Sequence, residues 1–155
     1  MNKKHCVYFL LIMVLCMSVF VACSKNETNM PYGEYVNDEC GSIVFDEDGI
    51  AFKNMDKELL INRYSSAMAT LDYFEEKNEG IILTDDEMNE LKKKYASEFD
   101  SERYSNFMYG YEFENNEHDY TVEFCLKDGN KRMFSLSYSL IDKNINFADK
   151  EFKIK

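Results

Sequence analysis

Phe107-Met108-Tyr109-Gly110-Tyr111-Glu112-Phe113-Glu114 carries an aromatic ring at every second position. Successive side chains of a strand point to opposite faces, so Phe107, Tyr109, Tyr111 and Phe113 share one side while Met108, Gly110, Glu112 and Glu114 take the other. The period of two returns downstream. Tyr120, Val122, Phe124 and Leu126 alternate with polar residues in one run, and Phe134, Leu136, Tyr138 and Leu140 do so in the next. Asp128-Gly129-Asn130 supplies the turn between them, a polar loop around Asn115 to Glu117 precedes them, and Asp142-Lys143-Asn144 leads on to Ile145 and Phe147 before Phe152 and Ile154. Four or five strands joined by short turns make an antiparallel meander.

Upstream the same logic gives a short strand over Tyr32 to Asn37 and a hairpin. Ile43 and Phe45 alternate in one arm, Ile50 and Phe52 in the other, and Asp46-Glu47-Asp48-Gly49 joins them, with Gly49 suited to a turn. Asp-x-Asp-Gly is also how a calcium loop begins, but the further ligands and the downstream bidentate Glu are missing, so no metal is expected. Between hairpin and meander the period lengthens. Asp56 caps a helix from Lys57 to about Glu76, with Leu60, Tyr64, Met68, Leu71 and Phe74 as its apolar stripe; Ala67 to Phe74 also reads as an alternating strand. Thr84-Asp85-Asp86-Glu87 forms a capping box ahead of a second helix, Asp85 to about Phe99, striped by Met88, Leu91, Tyr95 and Phe99. The fold class expected is α+β: an antiparallel curved sheet of amino-terminal hairpin plus carboxyl-terminal meander, which can curl into a partial barrel and whose closure the pattern leaves open, with a helical insert of one or two helices.

The first residues set the address. Lys3 and Lys4 precede an uncharged apolar run, Cys6 to Ala22, which ends Phe20-Val21-Ala22-Cys23. This resembles the signal peptide and lipobox of bacterial lipoproteins, although Phe20 and Val21 stand where that family usually has Leu and a small residue. The resemblance implies cleavage before Cys23, which would carry a diacylglycerol and an N-acyl chain such as palmitate. A membrane-spanning helix would sit at the short end of the required length of roughly 17–25 residues, and a soluble secretory signal would favour small residues where Phe20 and Val21 stand. All three readings put the folded part outside the cytoplasm. The expected organisation is a signal peptide at 1–22, a lipidated cysteine and tether at 23–33, and one globular domain at 34–155. Gly33-x-Tyr35 followed by Ile43-x-Phe45-x-x-Asp48-Gly49 is similar to the opening of small lipocalin-like lipoproteins, which implies a barrel that carries a small ligand. The helical insert departs from that pattern.

Charge narrows the partners. The whole chain carries a formal −11, and losing Lys3 and Lys4 with the first 22 residues leaves −13. Such a surface repels nucleic acid and anionic lipid, keeps the domain soluble, and suits a basic envelope protein as partner.

Removing Cys6 and Cys16 and acylating Cys23 leaves Cys40 and Cys125 as a pair, for which one disulfide and two thiols are equally open. Catalytic groups are sparse. His118 is the one histidine beyond the signal segment, no Gly-x-Ser-x-Gly elbow or glycine phosphate loop is present, and no His/Cys spacing suits zinc. No enzyme, catalytic residue or cofactor is expected. The row Phe107, Tyr109, Tyr111 and Phe113 is either core or a ligand wall with tyrosine tips. The functional expectation is a lipid-anchored, extracytoplasmic, non-enzymatic binding module of inhibitor or immunity type, with a lipocalin-like carrier as its alternative.

Overall fold

The computed structural model describes residues 30–114 and 120–155. The signal-like segment, Cys23 and His118 lie outside them.

Eight antiparallel strands follow one another in chain order: β1 (Gly33–Asn37), β2 (Gly41–Phe45), β3 (Ile50–Lys53), β4 (Met108–Glu114), β5 (Thr121–Asp128), β6 (Lys131–Ser139), β7 (Asn144–Phe147) and β8 (Lys150–Ile154). Each pairs with the next, and β8 returns to β1 at Tyr35↔Ile154 and Val36↔Lys153. The sheet is therefore a closed barrel rather than the partial one expected. Closure removes the two open edges that a curved sheet of this length would otherwise present.

Alternation along each strand sends one set of side chains inward. Ile43, Phe45, Ile50, Phe52, Tyr109, Phe124, Leu126, Ile145, Phe147 and Phe152 are each no more than 1% exposed. Their rings meet edge to face, Phe45 on Phe124 at 4.8 Å, Phe52 on Tyr109 at 4.9 Å and on Phe147 at 5.1 Å, the arrangement that ring quadrupoles favour. A barrel of about eight strands is just wide enough for side chains to fill. Here aromatic rings fill it.

The helical insert interrupts the β3–β4 connection. It holds α1 (Lys57–Asn78), α2 (Asp85–Glu98) and one further turn, α3 (Ser101–Tyr104), that the sequence pattern did not show. Asp56 accepts a hydrogen bond from the Leu59 N–H at 2.7 Å and so starts α1. At its far end Gly80, with φ of +85°, lets the Gly80 and Ile81 N–H groups reach back to the Lys77 and Glu76 carbonyls. The capping box of α2 is present in both directions: Thr84 N–H donates to Glu87 at 2.7 Å, and the Thr84 hydroxyl accepts from the Glu87 N–H at 3.3 Å. The Thr84 N–H first, and then the Thr84 hydroxyl donating to the same carboxylate at 2.8 Å, hold Glu87 below its usual pKa.

The insert closes one end of the barrel. Leu60 is fully buried, Tyr64 stacks on Phe99 at 4.7 Å, Phe99 stacks on Tyr104 at 5.2 Å, and Tyr64 and Phe99 both meet Phe134. Phe52 N–H still reaches the Phe107 carbonyl at 2.9 Å, so β3 and β4 meet as if a short turn joined them. Because Gly33 pairs with Phe45 and Asn37 with Gly41, the chain enters β1 at the end opposite the insert.

Candidate functional site

The sequence marked Phe107, Tyr109, Tyr111 and Phe113 as core or ligand wall; in the structure Tyr109 is core, Phe107 and Tyr111 are half-buried, and Phe113 is 38% exposed at the rim. They do share a face, which is the barrel interior. Tyr109 is fully buried against Phe52 and Phe134, with its hydroxyl donating to the Tyr104 carbonyl at 3.2 Å. Burial pushes its phenol well above the ordinary range, so it stays a neutral donor. Tyr111 packs on Phe45 and Phe124, while Phe107 and Phe113 sit at opposite ends of the row. Phe107 is half-buried beneath the Arg103 guanidinium.

Cys40, in the β1–β2 turn, and Cys125, on β5, are both buried, and no disulfide joins them. Cys125 faces outward with Thr121, Glu123 and Lys127, as the strand period required, yet it is covered. Burial raises the Cys40 thiol pKa, which keeps it protonated and unreactive. Alkylation without reductant should therefore leave both cysteines unmodified in the native chain and modify both after unfolding. A mass showing the two joined would refute this.

The exposed features that the sequence pattern misread lie on the insert. Leu71 and Phe74, taken as the far part of the α1 core stripe, are 53% and 54% exposed, and Ile82 in the α1–α2 connection is 77% exposed beside a half-exposed Ile81. Leu60 and Tyr64 are the buried part of the stripe, Met68 is half-buried, and Leu71 and Phe74 face an open groove against β6. The cue available in the sequence was position: an apolar pair near the end of a long helix followed by Ile81-Ile82 among carboxylates.

Leu71 and Phe74 form one side of a groove of about 450 Å³ between α1 and β6, with Ala67, Met133 and Phe134 beneath and Arg63 and Arg132 at its margins. Two irregularities of β6 open it. β7 pairs with β6 only at Ser137 and Tyr138, leaving the stretch before them paired with β5 alone. Register also shifts at Leu126/Lys127, so Met133 is an extra residue on β6; such bulges re-aim side chains at barrel rims. A second groove of about 630 Å³, lined by Arg63, Glu123, Ser135, Ser137, Asn146 and Asp149, continues along the outer face of β6.

The charge of the insert is concentrated around its tip. Glu75, Glu76, Glu79, Asp85, Asp86 and Glu87 flank Ile81 and Ile82, with Lys77 the lone cation between residues 75 and 87. At the base of the insert, Tyr104 and Arg103 both donate to Asp128, at 2.8 and 2.7 Å, and Lys131 donates to the Tyr64 hydroxyl at 2.9 Å. These contacts tie the insert to the β5–β6 turn. Among the described residues no three His, Cys, Asp or Glu side chains converge as a metal site would require, and no helix is long and apolar enough to cross a membrane. No family model, curated protein or solved structure matches the chain.

Proposed function

We propose that this chain is a lipid-anchored, extracytoplasmic, non-enzymatic binding module of inhibitor or immunity type, held to the membrane through Cys23, whose helical insert engages a basic envelope protein. One observation carries the reading: Leu71, Phe74, Ile81 and Ile82 stand exposed on a helix pair outside a filled barrel. Monomeric proteins seldom leave such residues together in water without a partner. The carboxylates around Ile81 and Ile82 would speed encounter with a cationic surface and reject an anionic one.

The closed eight-stranded barrel also suits the alternative, a lipocalin-like carrier. The rings at its centre occupy the space a ligand would need, so the outer surface is favoured.

The test is retention of cationic envelope proteins on the immobilised chain. Retention should hold at low salt and fall steeply by about 0.5 M, where the screening length shrinks to a few ångströms. Joint substitution Ile81→Ser and Ile82→Ser should abolish it while the circular dichroism spectrum is unchanged. No enriched protein at low salt would overturn the proposal.

A further inference from the structure

Among the described residues, the exposed large apolar side chains gather at the two ends of the barrel. Apart from the four on the insert and Met108, they are Tyr32, Phe113, Tyr120, Leu140, Ile141 and Ile154. All six stand at or beside strand ends on the side where the chain enters β1, since Gly33, Glu114, Thr121, Ser139 and Ile154 bound their strands there. Three form one knob: the Leu140 N–H donates to the Tyr120 carbonyl at 2.7 Å, and Ile141 follows directly. Tyr120 is 72% exposed and Ile141 65%. A barrel needs neither for its core, and the turn needs no apolar residue there.

We propose that this end of the barrel docks on a lipid bilayer, with Tyr120, Leu140 and Ile141 dipping into the interface. The proposal rests on the reading that Cys23 carries acyl chains. Six residues lie between Cys23 and Met30, and the seven steps from one to the other reach at most roughly 25 Å. The acyl chains would therefore hold the knob within one domain diameter of the headgroups. Tethering raises the effective concentration of a weak contact to about the millimolar range, so a small apolar knob suffices. Tyrosine with branched aliphatic neighbours is the composition that favours the headgroup boundary.

Charge decides which bilayer. Asp46, Glu47 and Asp48 in the β2–β3 turn and Asp142 beside Ile141 share this end, against Lys143 and Lys155. An anionic surface would repel them, so docking is to zwitterionic lipid and weakens as anionic lipid is added. Docked in this way, the barrel holds its insert away from the membrane, where a soluble partner meets it.

The experiment uses the acylated chain in phosphatidylcholine vesicles, with a spin label at Ile141→Cys, at Tyr120→Cys, or at Ile82→Cys as the distal control. Cys40 and Cys125 are buried and stay unlabelled in the native chain. Collisions with oxygen, which concentrates in lipid, are compared with collisions with a water-soluble nickel chelate. The oxygen-to-nickel ratio should be at least about threefold higher at positions 120 and 141 than at 82, as expected for side chains buried several ångströms into the interface. Equal ratios in a chain that floats with the vesicles would overturn docking and leave the anchor standing. A chain that does not float would overturn both.

Discussion

Phe52→Ala will destabilise the barrel by about 3–5 kcal/mol, the range for removing a large buried ring whose site cannot collapse. Phe52 joins rings across the interior, meeting Tyr109 at 4.9 Å, Phe147 at 5.1 Å and Phe134 at 6.0 Å from three different strands. No single neighbour can move into its place without leaving another ring unsupported. Its backbone N–H also bonds Phe107 at the neck of the insert, so the damage should loosen the insert as well. Urea unfolding followed by circular dichroism measures the loss, and Phe52→Leu should recover most of it, costing about 1.5 kcal/mol or less. A Phe52→Ala loss below about 1 kcal/mol would mean that the centre tolerates empty space, as a carrier would require.

Gly41→Ala should cost about 3 kcal/mol, at the top of the range for a residue forced into sparsely populated backbone space. Gly41 has φ of +103°, and a Cβ there would lie 2.4 Å from the Asn54 carbonyl oxygen. Both elements that would have to yield are pinned. Cys40 next door bonds Asn37 through its N–H and accepts from Asp56, while Asn54 N–H bonds the Asn106 side chain and Met55 N–H bonds Ser105. Strain at Gly41 would thus pass into both roots of the insert. Gly129→Ala is the control: its φ is +60° but nothing lies within 4 Å of the added carbon, so about 1 kcal/mol is expected. The two melting temperatures, measured side by side, separate crowding from backbone preference. Equal losses would refute the crowding.

The strands were legible because ring and charge alternate along them. Ile43 with Phe45, Ile50 with Phe52, and Phe134 with Leu136 and Tyr138 all face the core as their spacing required. Asp56 and the Thr84–Glu87 pair announced the two long helices, and both caps form. Closure was not legible, because a pattern of period two fixes faces but not whether the last strand meets the first. The single turn Ser101–Tyr104 was too short to show a period. Of the candidate wall, Tyr109 turned out to be core because Phe52 and Phe134 converge on it from strands far away in sequence. Leu71 and Phe74 misled in the opposite sense: their helical spacing is real, but the face they share lines an open groove against β6 instead of closed core.

Tyr35 and Ile154, the partners that seal β1 to β8, stand at the two extremes of the described chain. A growing polypeptide can assemble every hairpin in turn and still leave the outer edge of β1 unmatched until β8 arrives. Contacts of such long sequence separation form late and slowly. During that interval a second molecule can offer its own β8, so brief crowding at the site of synthesis would leave interlocked pairs as the characteristic misassembled species.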